Sequence, residues 1–103
     1  MKTIKITQEL EQTGNASYIV NMTITDGEDE QTQEFRYNNC NRVYPLFNSL
    51  INALDAYEGV HIELTTNYKR FAEEVNGNPN KNSRMLEILS NIKERRNITI
   101  DAE

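Results

Sequence analysis

His61 and Cys40 are the only histidine and the only cysteine in this chain, and that removes most catalytic constellations at once. A zinc site needs a cluster of Cys, His or carboxylate ligands, and neither residue has one around it in the sequence. A thiol nucleophile needs a base to raise its thiolate fraction, and none accompanies Cys40. His61 shares a strand face with Glu63, where a lone histidine reads as a hydrogen-bonded structural residue. The four glycines are isolated turn residues, so no phosphate-cradling loop is present. Two charge clusters and a set of tyrosines remain. Asp26, Glu28, Asp29 and Glu30 crowd carboxylates into one short run, and a cationic partner would relieve their mutual repulsion. Arg84, Lys93, Arg95 and Arg96, with Lys81, make a basic face toward the C-terminus, where cations also suit a helix dipole. Tyr18, Tyr37, Tyr44, Tyr57 and Tyr68 could stack on unpaired bases, although most share a stripe with Leu and Ile and read as core.

The charge is uneven along the chain. The net charge of 103 residues is −5. Residues 1–66 are strongly acidic, while 67–96 carry seven bases against four acids. A net acidic chain is a poor general binder of nucleic acid, so a nucleic-acid partner ranks below a protein with a basic surface. No apolar run approaches the length of a membrane span, and MKTIKITQEL has no apolar core of a signal peptide. An unpaired cysteine fits a reducing cytoplasm. The length suits one domain over 1–103.

Periodicity places these residues on elements. Ile4 and Ile6 alternate with polar neighbours, a strand over Met1 to Thr7. Thr13-Gly14-Asn15 is a turn. Tyr18 to Thr25 is a second strand with Tyr18, Val20, Met22 and Ile24 on one face. Asp26-Gly27 breaks it, the acidic run Glu28-Asp29-Glu30 is a solvated loop or strand tip, and Thr32 to Tyr37 returns as a third strand of a hairpin with several extra loop residues. Asn38 to Asn41 caps a long helix whose face is Val43, Leu46, Phe47, Leu50, Ile51, Leu54 and Tyr57. Pro45 is tolerable only in its first turn, and Gly59 suits its exit. Val60 to Thr65 is a fourth strand. Thr66-Asn67 caps a short helix through Tyr68, Phe71, Ala72 and Val75, and Ser83 caps a last helix carrying Met85, Leu86, Ile88, Leu89 and Ile92. Asn97 to Asp101 closes with a short strand. These elements imply a mixed five-stranded α/β sheet with helices packed on it, its parallel part joined by a right-handed crossover.

The order strand-strand-strand-helix-strand-helix-helix-strand resembles the ribonuclease H fold. Asn38-Asn39-Cys40-Asn41-Arg42-Val43-Tyr44-Pro45-Leu46 is similar to the Thr-Asn-Asn-Arg-Met-Glu-Leu stretch that opens that family's first helix. Asn52-Ala53-Leu54-Asp55-Ala56 resembles the later part of the same helix, and Ile62 to Tyr68 resembles the family's strand-to-helix stretch. The resemblance implies two-metal phosphodiester hydrolysis, which needs about four carboxylates around two Mg²⁺ roughly 3.5–4 Å apart. The matching positions are Thr7 or Gln8 on the first strand, Tyr44 on the helix and Thr66 at the end of the fourth strand, with the last carboxylate on a helix beyond Glu103. None of these is acidic, and Glu9, Glu11 or Asp101 could each replace one ligand at most. The expectation is a non-catalytic ribonuclease H-like protein-binding module with no metal or cofactor. Its acidity and size suit a phage or mobile-element inhibitor of a host nuclease or CRISPR defence enzyme. Its contact surface is then Asp26, Glu28, Asp29, Glu30 and Tyr44, and a sheet edge could also make a homodimer. The alternative is a divergent metal-dependent nuclease, or a nucleic-acid-binding relic using Arg84, Lys93, Arg95 and Arg96.

Overall fold

The computed structural model describes residues 1–77 and 84–103. Ser83 and Lys81, expected in a helix cap and a basic cluster, lie outside the described residues. The elements run β1 (Lys2–Gly14), β2 (Ser17–Asp26), β3 (Asp29–Tyr37), α1 (Val43–Leu54), β4 (Val60–Thr66), α2 (Lys69–Val75), α3 (Arg84–Arg96) and β5 (Thr99–Ala102). They form one mixed sheet in the order β3-β2-β1-β4-β5. β1 is antiparallel to β2 and parallel to β4, and β4 is parallel to β5. The expected α/β architecture is therefore the observed one.

Strand lengths differ from the sequence reading in two places. β1 continues seven residues past Thr7, because Gln8 to Gln12 pair with Met22 to Tyr18 although their own composition is polar. The acidic run is a paired strand tip, without the several extra loop residues expected. Asp26 pairs with Asp29 across a two-residue turn, Gly27-Glu28, in which only Gly27 has positive φ (64°). That is the pattern of a II′ hairpin, whose twist matches the strands it joins.

One face of the sheet holds the core. Ile4, Ile6, Met22, Ile24, Ile62 and Leu64 point to it and are sealed by Leu46, Phe47, Leu50 and Leu54 of α1 and by Phe71 and Val75 of α2. Phe47 and Phe71 meet edge to face at 4.8 Å, which locks the two helices together. The alternate residues of β1, namely Thr3, Lys5, Thr7, Glu9 and Glu11, are exposed on the other face. Glu63 and Asp101 are register neighbours on that open face. His61 sits there too, its Nδ1 2.7 Å from Thr99 Oγ1, as a structural histidine would.

Both ends of α1 are set by local chemistry. Asn41 Oδ1 accepts from the backbone N–H of Val43 and Tyr44 at 3.2 and 2.9 Å, so the asparagine cluster does cap the helix. Pro45 lies in the first turn, where no intrahelical donor is lost. The helix ends earlier than expected, at Leu54 with Asp55 as its C-cap, so Tyr57 lies past the helix and Gly59 does not terminate it; Gly59 instead enters β4 with φ 65° while its N–H donates to the Arg96 carbonyl at 2.8 Å.

Candidate functional site

The parallel strands β1 and β4 stop pairing at Gln8 and Thr66, and a crevice opens beyond those two residues. In open α/β sheets, ligands bind beyond the carboxyl ends of parallel strands. α1 starts on one side of this crevice and α2 on the other. The parity that buries Ile4 and Ile6 also turns Gln8 inward, where it is 1% exposed. Its Nε2 donates to the Leu46 carbonyl and to Ser49 Oγ, both at 2.9 Å. Its Oε1 is buried with no hydrogen-bond partner among the described residues. The side chain of α1 facing the first-strand position is thus Ser49. Tyr44 stands a turn earlier, exposed, and packs its ring edge-on to Tyr37 at 6.0 Å.

Above Gln8 the sheet is extended by a side chain. Asn67 Oδ1 accepts from Leu10 N–H at 2.9 Å, and Asn67 Nδ2 donates to the Leu10 carbonyl at 3.0 Å. Asn67 thereby acts as one more residue of strand beside β1. This clasp fixes the start of α2 over the sheet. Leu10, Gln12, Tyr18, Arg42, Asn67 and Tyr68 line a cleft of about 230 Å³ at this point. The Arg42 guanidinium lies 5.9 Å from the centre of the Tyr68 ring. Among the described residues no carboxylate lines the cleft.

Cationic side chains near this end include Arg42, just before α1, and Lys69 and Arg70, in the first turn of α2; Arg36, beside Tyr37 on β3, is bridged to Glu34. Arg42, Lys69 and Arg70 are exposed, and neither first turn carries an acid. Arg70 Nε reaches Glu74 only at 3.8 Å. Nearby, Tyr37 donates to Asn48 Oδ1 at 2.9 Å. Its phenol is pushed up to about 12, first by burial and then by neighbouring Tyr44 and Cys40.

The contact surfaces expected from sequence do not come together. The acidic hairpin turn lies at the far end of β2 and β3 from Tyr44. Eight register steps separate Asp29 from Tyr37, roughly 27 Å at about 3.4 Å per residue. Asp26 is moreover bridged to Lys2 at 2.8 Å and half-buried, while Glu28, Asp29 and Glu30 are exposed. The basic end of α3 is also remote from the crevice. Arg96 binds Asp55 at 3.1 Å and the Tyr57 carbonyl at 3.2 Å, beside the start of β4. That is a strand length from Thr66, roughly 20 Å at about 3.3 Å per residue. Arg84, Lys93 and Arg95 lie on α3, with Arg84 and Arg95 exposed and Lys93 half-buried. Sequence reading missed Ser49 and the meeting of Arg42 with Tyr68, and it took Asn67 for a helix cap, whereas α2 starts after Tyr68 and the Asn67 side chain binds Leu10. The one available signal was the start of each helix beside a strand end.

The matches are to folds. No protein-family model matches the sequence, and no curated protein matches it. Solved structures do. LC11-RNase H1, crystallised in complex with an RNA/DNA hybrid, superposes with TM-score 0.76 at 16% identity, covering 97% of this chain and 84% of that one. RNase H1 from the halophilic archaeon Halobacterium salinarum gives 0.57 at 17% identity, over 98% and 85%. The N-terminal RNase H domain of a Mycobacterium tuberculosis protein gives 0.59 at 14%, over 100% and 83%. The chain has the ribonuclease H-like fold, as its element order implied.

These similarities overturn the main functional expectation. The similar structures are RNase H proteins, and nothing in them or in the geometry supports a non-enzymatic inhibitor of a host nuclease or CRISPR enzyme from a phage or mobile element. The error came from treating missing carboxylates as evidence for a protein partner, when they speak only to metal binding.

The fold implies a pair of Mg²⁺ ions, and the residues at the crevice do not fit them. Mg²⁺ is held by hard anionic oxygens in near-octahedral geometry. Gln8, Ser49 and Thr66 offer an amide and two hydroxyls, and the Gln8 amide is already committed to α1. Glu9, Glu11 and Asp101 project from the open face, on the opposite side of the sheet from Gln8. Among the described residues no group of three His, Cys, Asp or Glu could hold a metal ion. Among them too, no helix is long and apolar enough to cross a membrane.

Proposed function

We propose that this chain handles nucleic acid, binding it across the crevice where β1 and β4 end. The observation that carries this reading is that Arg42 lies over Tyr68 in a cleft that no carboxylate lines among the described residues, with Lys69 and Arg70 exposed in the first turn of α2 directly after Tyr68. Three cations on two helix starts suit successive backbone phosphates, and the amide-rich cleft between them presents no negative charge to repel the strand. The acids that dominate the net charge sit elsewhere, on the open sheet face and the distal hairpin. A similar fold crystallised with an RNA/DNA hybrid supports the same class of partner. The free thiol of Cys40 supports a reducing, cytoplasmic setting.

Fluorescence anisotropy of a labelled RNA–DNA hybrid and of matched DNA duplex tests this. Binding is expected in the micromolar range and weakens with salt, with a slope set by about three neutralised phosphates. Lys69→Gln and Arg70→Gln should each lower that slope by about one unit. Salt-independent binding, or no binding to any nucleic acid at low salt, would refute the reading. Strand hydrolysis with Mg²⁺ in the same samples would add a cleavage step to the function.

A further inference from the structure

We propose that the cleft between Tyr68, Arg42 and Tyr18 receives a single unpaired nucleobase, so that the protein prefers nucleic acid with a frayed end or overhang to a fully paired duplex. This inference rests on the nucleic-acid reading and names the part of the strand that the site takes.

Size points to one ring system. Clefts that enclose whole drug-sized ligands run from roughly 300 to 1,000 Å³. At about 230 Å³ this one suits a fragment delivered by a longer molecule. Its chemistry is that of base recognition. Tyr18, 6% exposed, and the half-buried Leu10 supply an apolar wall. Tyr68 presents a half-exposed ring. Gln12 Nε2 donates to the Gly14 carbonyl, which leaves its Oε1 as an acceptor at the rim.

The Arg42–Tyr68 contact is loose in an informative way. At 5.9 Å it lies at the outer limit of a cation–π contact. A flat ring sandwiched between guanidinium and phenol needs about 7 Å, two van der Waals separations. Arg42 is exposed and outside the hydrogen-bonded body of α1, so a shift of about an ångström admits a base. The Tyr68 backbone by contrast is held from both sides, its carbonyl accepting from the N–H groups of Phe71 and Ala72, and its side chain packs partly buried against the core. The Tyr68 N–H donates to Thr66 Oγ1 at 3.3 Å, and the Asn67 clasp fixes the residue before it. One plane is rigid and the other yields, which is the arrangement that captures a stacking ring without a large ordering cost. A base inside a duplex is stacked on both faces and cannot enter; an unpaired one can.

The test compares a blunt hybrid with the same hybrid carrying a short unpaired overhang, by anisotropy at fixed salt and without divalent metal. The overhang should tighten binding at least about fivefold, the lower bound for stacking one base. Tyr68→Phe should keep the preference, because the ring remains. Tyr68→Leu and Arg42→Gln should abolish it, so that blunt and overhanging hybrids bind each of these variants with the same affinity. Circular dichroism melts identify any variant that fails to fold, and Tyr68→Phe keeps the comparison meaningful in that event. Equal affinity for blunt and overhanging hybrids, or a preference that survives Tyr68→Leu, overturns the base pocket and leaves the nucleic-acid reading standing. Failure to bind either ligand overturns both.

Discussion

The two ends of the sheet are held by different physics. At the crevice end the contacts are buried and neutral: Gln8 to Ser49 and Leu46, and Phe47 against Phe71. At the opposite end they are exposed and ionic: Lys2 with Asp26, and Arg96 with Asp55. Exposed pairs are weak because water screens them and their side chains lose entropy. Buried neutral bonds are modest when made and costly when half broken. The crevice end should therefore be the stability-determining one, even though the opposite end carries more charge.

The largest effect is expected at the junction of α1 and α2. Phe47→Ala removes a fully buried ring that both helices share, and should cost about 3–5 kcal/mol in urea melts. A loss comparable to that of an exposed site would erase the contrast between the ends. Leu50→Ala and Leu54→Ala, also fully buried on α1, should follow at about 2–5 kcal/mol.

Gln8→Glu comes next and has a direction in pH. The introduced carboxyl would face the Leu46 carbonyl in a buried, neutral setting, so its folded pKa is raised by burial. A raised folded pKa means the stability is intact below the unfolded value and falls as pH rises through the folded one. The variant should approach wild type below about pH 4 and lose on the order of 2 kcal/mol or more at neutrality. A flat pH profile would show that Gln8 is not sealed.

Tyr37 sharpens the comparison at alkaline pH. Its phenol is pushed up to about 12, above the ordinary 10, so the protection it reflects is complete below about 10 and lost as pH climbs toward 12. Ultraviolet titration should show a late tyrosine phase, and Tyr37→Phe should shrink that phase by one residue. The same substitution removes the bond to Asn48 and should cost about 0.5–1.5 kcal/mol at neutral pH.

The smallest effect belongs to the distal hairpin. Replacing Asp26, Glu28, Asp29 and Glu30 by Asn or Gln breaks the Lys2 contact but relieves repulsion between neighbours. The denaturation midpoint should stay at the wild-type value, and a clear drop would mean the ionic end matters more than its exposure allows.

Legibility in the sequence divides along similar lines. The strands that alternate cleanly, such as Ile4 and Ile6 or Val60, Ile62 and Leu64, were legible because a period of two survives in composition. The α1 stripe was legible for the same reason at helical spacing. The extension of β1 through Gln12 was not, because β2 imposes it from outside. Neither was the shortness of the hairpin turn, since Glu28-Asp29-Glu30 reads as solvated whether paired or not. At the site, Gln8 could be placed by parity, but its partner could not. The family-like stretch pointed to Tyr44, and only the helix's seating on the sheet brings Ser49 there. Arg42 and Tyr68 are distant in sequence and meet through the parallel crossover from α1 to β4, which no local pattern announces.

The Asn67 clasp turns one backbone amide into a gauge. Leu10 N–H has a side chain for its acceptor on the β4 side, so its exchange with solvent deuterium depends on whether the start of α2 is seated. Exchange at Leu10 should then slow when a ligand pins that segment and quicken in Asn67→Ala, while Ile4 and Ile6, on a strand flanked by β2 and β4, keep the rate of global unfolding. The protein carries a built-in reporter of the opening of its own cleft, readable one peptide group at a time.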